Sequence, residues 1–398
     1  MKKILEGNLL YGQGGGPTSV INSSAFGLIN EAFKHEEIKQ IYAAKYGLLG
    51  ILNDDLIEIK NDEKLKILKT TPGACFGSNR IKLDVNKDKE KFEKILATFK
   101  KHNIKYFFYN GGNDSMDTIN KICSYLEEND YECRCIGINK TIDNDLEGTD
   151  FSLGYPSASI YIANSLLQIA LDDLSYEKGR VNIIEVMGRN AGWLAASAKL
   201  AKLKNLEADL IYVPEINLSI DQILNDIKKV YETKKHCLVV VSEGLKDQNG
   251  EFLFKTDGSV DKFGHAQLGG VSIQLAHLVQ EKLSFKTRYY ELSLLQRASS
   301  ITPNKLEINI AINLSKYALK KALNGVSNRV VTIKRLNNVP YKYKFELVSI
   351  DTVANNERTL PLSFINEEGN NIKDEFLDYI SPLVEKDKYL LNFYKIID

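Results

Sequence analysis

The chain has 398 residues, of which 43% are hydrophobic and 26% charged, with 52 basic and 52 acidic side chains. This length allows a large buried core in two lobes, and the balanced charge leaves no whole-molecule field to draw in nucleic acid or a membrane surface. No run of roughly 18 apolar residues is present to span a bilayer, and the opening "MKKILEGNLLYGQGGG" is interrupted at Glu6, Gly7 and Asn8, so no secretory core forms.

In chain order, "ILEGNLLYG" reads as a strand, followed by a glycine-rich loop and a helix from about 19 to 33. "IKYFFYN" is a strand that ends in "GGNDS". "YECRCIGI" is a strand running into "NKTIDND". "RVNIIEVM" ends in "GRN" and leads into the helix "AGWLAASAKLA". "ADLIYVPE" and "HCLVVVSEG" are two further strands with acid or glycine at their ends. Strands alternating with helices predict an α/β fold of largely parallel sheets, whose ligands sit beyond the carboxyl ends of the strands. The unusual residues cluster at those ends, which points to one shared cleft. The tail, 336–398, is more irregular and finishes in a charged helix near "DEFLDYISPLVEKDKYLLNFY"; it reads as peripheral, with no chemistry assigned. Five cysteines without framework spacing predict reduced thiols and a cytoplasmic location, and Cys133 and Cys135 read as strand residues rather than half a zinc site.

Three stretches carry chemistry. In "GQGGGPTSVINSS", Gly14, Gly15 and Gly16 let backbone N–H groups approach an anion ahead of a helix N-terminus, although a tight strand–helix turn would need the same small residues. No Gly-Lys-Ser/Thr follows, and Pro17 breaks the dinucleotide fingerprint. In "NGGNDSMDT", Asn113, Asp114 and Ser115 are oxygen donors suited to Mg²⁺, or ordinary helix caps. In "VMGRNAGW", Arg189 precedes a helix, with Arg180 nine residues upstream. Only nine arginines occur, so two around one strand suit bidentate phosphate contacts, or an ordinary surface role.

Together "GGNDS", "KTIDND" and "MGRNAGW" resemble the phosphofructokinase family over about residues 1–335. The resemblance implies two Rossmann-like lobes with the active site between them. A donor-phosphate lobe at 1–155 would be completed by about 266–335, and a sugar-phosphate lobe would span 156–265. It implies Asp143 as the general base that takes the proton from the 1-hydroxyl of fructose 6-phosphate, with Thr141 beside the sugar. Met187, Gly188 and Arg189 match the substrate-binding "MGR", Glu243 the sugar-binding glutamate, and His265 the histidine near the sugar phosphate. Arg80 and the three glycines match donor-phosphate contacts. Arg189 and Arg180 would bridge donor and substrate phosphates and stabilise the transferring group, and Arg180 matches an arginine that reaches in from a neighbouring subunit, implying a homodimer or homotetramer. Mg²⁺ is the implied cofactor, with Asn113 and Asp145 as its candidate partners.

Two positions bear on the donor. Nucleotide-using members resemble "GGDGS" and "GTIDND", with glycine where this chain has Asp114 and Lys140. The aspartate fills the path of a nucleotide and the lysine neutralises pyrophosphate, so this pair implies pyrophosphate as donor. The departures are Asn113 for the usual aspartate and Leu268 for an arginine that binds the 6-phosphate. Arg297, with Tyr290 or Arg288 nearby, is expected to replace the latter. "NSSAF" lacks the effector arginine, so no such control is expected. The rival expectations are an ATP-dependent enzyme, a non-catalytic sugar-phosphate-binding regulatory subunit and, disfavoured by the imperfect glycine pattern, a dinucleotide-binding oxidoreductase; the sequence leaves sedoheptulose 7-phosphate open as a further substrate.

Overall fold

The computed structural model describes residues 4–254, 270–299, 304–386 and 388–392. Apolar strands and amphipathic helices alternate along it. The first part runs β1 (Gly7–Gln13), α1 (Ile21–Ala32), β2 (Ile38–Ala44), α2 (Leu48–Leu52), β3 (Leu56–Glu58), α3 (Lys89–Lys101), β4 (Ile104–Gly111), α4 (Asn113–Glu128), β5 (Arg134–Asn139) and α5 (Tyr155–Asp173). It continues through β6 (Val181–Val186), α6 (Trp193–Ala196), β7 (Leu210–Tyr212), α7 (Ile220–Lys234), β8 (Cys237–Ser242), α8 (Val271–Leu283), β9 (Thr287–Glu291) and α9 (Lys305–Leu323). The last part holds β10 (Arg329–Asn337), β11 (Lys342–Ser349), α10 (Ile350–Val353) and α11 (Glu375–Ile380).

The strands form two sheets. One has the order β11-β10-β5-β4-β1-β2-β3, parallel except for its two outermost strands; the other is wholly parallel, β7-β8-β6-β9. Strands β1, β4, β6 and β8 are buried almost throughout, as parallel strands covered on both faces must be. In the larger sheet the chain leaves β1 toward β2 on one side and later returns to β4 on the other. The carboxyl ends of β1 and β4 therefore diverge around a crevice, the place where open α/β sheets bind ligands. Helix α1 packs on α9 so closely that Gly27 lies against the backbone of Ile312, where a Cβ would collide.

Three expectations need correction. The division foreseen near residue 266 falls differently: β9 pairs in parallel with β6 in the smaller sheet, because its Thr287–Glu291 run continues that ladder. The tail is not peripheral. Strand β11 closes the edge of the larger sheet, and residues 355–358 pass between the lobes. Nor does the tail end in one long helix: α11 stops at Ile380 and a 3₁₀ turn follows, because Pro382 cannot donate to a continuing ladder.

Candidate active site

A cleft of about 650 Å³ opens at the crevice between β1 and β4. Gly15 and Gly16 line it from the loop after β1, Asn113 and Asp114 from the start of α4, and Lys140, Thr141, Asp143 and Asp145 from the loop after β5. Arg80 lines it as well. The motifs expected to converge from the larger sheet do so.

Local hydrogen bonding fixes the glycine loop. Gly14 N–H donates to Asn110 O at 2.9 Å, Ser78 Oγ donates to Gly15 O at 2.6 Å, and Gly15 N–H donates to Asn79 O at 3.3 Å. Gly15 has φ of 72°, which disfavours any residue with a Cβ. Lys140 is 2% exposed and runs beneath this loop, its Nζ donating to Gly14 O and Gly16 O, each at 2.7 Å. Burial and then the neighbouring Arg297 push its pKa down to about 7; Arg80 adds to this, while Asp143 and Asp145 pull the other way.

Thr141 and Asp143 form a local turn. Asp143 N–H donates to Thr141 Oγ1 at 3.2 Å, and that hydroxyl donates to Asp143 Oδ2 at 3.3 Å. Burial raises the Asp143 carboxyl, opposed first by Arg297 and then by Thr141, Lys140 and Arg80. Asp145 is pushed up to about 8, by burial first and then by the charges of Asp143 and Glu357.

Asn113 opens α4 but does not cap it, since the cap position is Gly112. Its Nδ2 instead donates to Asp145 Oδ2 at 3.2 Å. The remaining oxygens, Asn113 Oδ1 and Asp145 Oδ1, are both buried without a hydrogen-bond partner. Two unpartnered oxygen acceptors beside the cleft fit a hard divalent cation that takes its other ligands from water and phosphate. Among the described residues, no group of three or more His, Cys, Asp or Glu could enclose a metal by itself.

The smaller sheet presents its own strand ends. Gly188 has φ of 120° and its carbonyl accepts from Ser242 Oγ, which joins the loops after β6 and β8. Met187 N–H donates to Gln296 Oε1 at 3.4 Å, and Glu243 N–H donates to Val186 O at 3.0 Å. Burial, then the Asp143 charge, pushes Glu243 up to about 7. Arg189 stacks over Phe252 with its guanidinium carbon 5.2 Å from the ring centroid.

Arg297 lies closer to the donor loop than the sequence suggested. Its Cζ is 3.2 Å from where a Cβ on Gly16 would sit, and of the arginines it acts most strongly on Asp143. Burial lowers its own pKa. Tyr290 and Arg180 share another neighbourhood: the Tyr290 hydroxyl donates to Asn182 Oδ1 at 3.4 Å, and Arg180 bears on its ionisation. Arg180 precedes β6 and faces Asp172 and Asp173, at the end of that strand opposite Arg189. His265 and Leu268 lie outside the described residues.

The sequence reading missed Asn355, Asn356 and Glu357, which line the cleft from the tail. "NNERTLPL" offers no periodicity or motif that would have flagged them.

The phosphofructokinase family model matches residues 8–321. The chain belongs to the phosphofructokinase family. It is 39% identical to a pyrophosphate–fructose 6-phosphate 1-phosphotransferase of Xanthomonas campestris, covering 96% of this chain and 92% of the relative. A protein of the same name from Halomonas elongata is 36% identical, with 96% and 93% coverage. A crystal structure of a pyrophosphate-dependent phosphofructokinase from Nitrosospira multiformis superposes with a TM-score of 0.86 at 35% identity, covering 95% of this chain and 92% of that one. The fold is thus the two-lobed phosphofructokinase fold. No helix among the described residues is long and apolar enough to cross a membrane.

Proposed function

We propose that the chain catalyses reversible transfer of a phosphoryl group from pyrophosphate to the 1-hydroxyl of fructose 6-phosphate, giving fructose 1,6-bisphosphate and phosphate. The observation that carries this reading is Lys140, buried under the glycine loop with its ammonium on the carbonyls of Gly14 and Gly16, while Asp114 stands exposed at the same cleft. A compact polyanion placed on the loop lies above that cation and within reach of its charge. A nucleotide's α-phosphate would meet the added bulk and negative charge of Asp114.

Phosphoryl transfer requires chiefly positioning and charge neutralisation, plus a carboxylate at the attacking hydroxyl. Asp143, with its pKa raised and its orientation set by Thr141, takes the proton of the 1-hydroxyl as that oxygen bonds to phosphorus. The bond from phosphorus to the leaving phosphate breaks. Arg297 and Lys140 face the charge on the transferring group, and Arg80 the outer phosphate. Mg²⁺, held by Asn113 and Asp145, would neutralise donor charge. Met187, Gly188, Arg189, Glu243 and His265 would form the sugar side. Arg180 and Tyr290 would act on the 6-phosphate across a subunit boundary of a cytoplasmic homodimer or homotetramer.

The cleft continues past Asp114 to Asn355 and Asn356, which favours a second reading in which ATP is the donor. Fructose 1,6-bisphosphate formation by the purified protein with Mg²⁺, pyrophosphate against ATP, separates the two. Product with pyrophosphate alone supports the first reading. Product with ATP alone overturns the donor assignment, and silence with both overturns catalysis.

A further inference from the structure

The turn carrying Asp143 and Asp145 is held by bonds from elsewhere in the chain. Asn144, between them, is fully buried and has φ of 58°, a left-handed backbone that asparagine adopts more readily than most side-chain-bearing residues. Its side chain is held on both sides: Ser152 N–H donates to Asn144 Oδ1 at 2.9 Å, and Asn144 Nδ2 donates to Tyr379 Oη at 2.9 Å. Its carbonyl is held by a residue far away in sequence. Arg358 Nε and Nη2 donate to Asn144 O at 3.2 and 3.0 Å, and Arg358 Nη1 donates to Thr149 O and Asp150 O at 2.7 and 2.8 Å. The backbone of Arg358 adds an N–H bond to Asp145 O at 2.8 Å.

The same arginine also touches the other lobe. Its guanidinium carbon lies 4.4 Å from the Trp193 ring centroid, and Trp193 Nε1 donates to Arg358 O at 3.0 Å. Next to it, Glu357 Oε1 accepts from Asn190 Nδ2 at 2.8 Å, beside Arg189. The rigid planar fork of a guanidinium suits several fixed carbonyls at once, which an ammonium cannot match.

We propose that Arg358 is a positioning residue for phosphoryl transfer. It fixes the left-handed turn at Asn144, which sets the directions in which Asp143 and Asp145 leave the backbone. It also ties that turn to the Trp193 end of the loop bearing Arg189. This rests on the reading of Asp143 as the base. The far end of the loop has a second anchor, because Arg335 Nε bonds both Asp150 carboxylate oxygens at 3.0 Å and Tyr341 Oη donates to Asp150 Oδ2 at 2.8 Å. Loss of the Arg358 guanidinium therefore strips the carbonyls of Asn144, Thr149 and Asp150 of their donor, while the Asn144 side chain and the Asp150 carboxylate keep theirs.

The test uses the full chain with Arg358→Ala, Arg358→Lys and Asp143→Asn, assayed for kcat and for KM of both substrates. Misplacing a reacting group by about 1 Å can cost about 100-fold, so the expected fall in kcat is about 10- to 100-fold for Arg358→Ala, with each KM within about threefold. Millimolar guanidinium should restore part of that kcat in Arg358→Ala and none in the wild type. Arg358→Lys, which keeps the cation over Trp193, should lose kcat without recovering it on guanidinium. A lowered melting temperature with wild-type kcat in Arg358→Ala would make the contact purely structural and overturn the proposal. If Arg358→Ala does not fold, wild-type kcat in Arg358→Lys overturns it equally. Full activity in Asp143→Asn would remove the base assignment itself; an inactive Asp143→Asn beside fully active Arg358 variants removes only the role of Arg358.

Discussion

Binding of pyrophosphate should take up a proton, and the group responsible should be Lys140. Its pKa is pushed down to about 7, by burial first and then by Arg297 and Arg80. A polyanion on the glycine loop offsets the repulsion and supplies the missing counter-charge, so the bound state restores the ammonium. The pKa is thus low when free and higher when bound, and protons enter with the ligand between those two values. A group with a pKa of about 7 is about nine-tenths neutral at pH 8, so uptake should approach 0.9 proton per site there. Affinity should fall about fivefold from pH 7 to 8 and about tenfold from pH 8 to 9, each full pK unit being about 1.4 kcal/mol. Titration calorimetry at pH 8 in two buffers of different ionisation enthalpy gives the proton number directly. Lys140→Met, measured in parallel, removes the amine and cancels the titration of pyrophosphate itself. Equal proton numbers for the two proteins, or a wild-type affinity with the same pH dependence as the variant, would refute the reasoning.

Asp143→Asn should lower kcat by about 100- to 10,000-fold, the usual contribution of a positioned general base, with KM for both substrates little changed; steady-state kinetics in either direction measures it. The paired change Asp114→Gly with Lys140→Gly should weaken pyrophosphate use before it admits ATP, because it removes a cation the donor needs while only clearing space for the nucleotide; donor competition assays report the order. Gly15→Ala forces a Cβ onto a φ of 72° and to 3.2 Å from Lys140 Nζ. It should cost about 1 kcal/mol in denaturant unfolding and raise KM for pyrophosphate more than that for fructose 6-phosphate.

What could be seen in the sequence was set by local physics. "IKYFFYN" and "HCLVVVSEG" are apolar runs of strand length bounded by glycine and polar residues, which suits doubly covered parallel strands, so the sheets and the converging strand ends could be anticipated. Chemistry decided by neighbours distant in sequence could not. Asn113 looks equally like a cap and a ligand until Asp145 is beside it. Arg297 sits in a stretch whose pattern says nothing of Gly16, and only the pairing of β9 with β6 carries it toward the donor loop. The tail illustrates this most clearly. A reading by periodicity discards "NNERTLPL", since it carries neither a helical nor a strand repeat of apolar residues. Yet Arg358 closes hydrogen bonds 208 to 214 residues back along the chain, on the loop that follows Asp143. The turn at Asn144 is buried, and burial requires that its backbone carbonyl find a partner, which Arg358 supplies. By holding a turn between two acidic residues, an irregular segment acts on the geometry of the cleft as directly as the motif it supports.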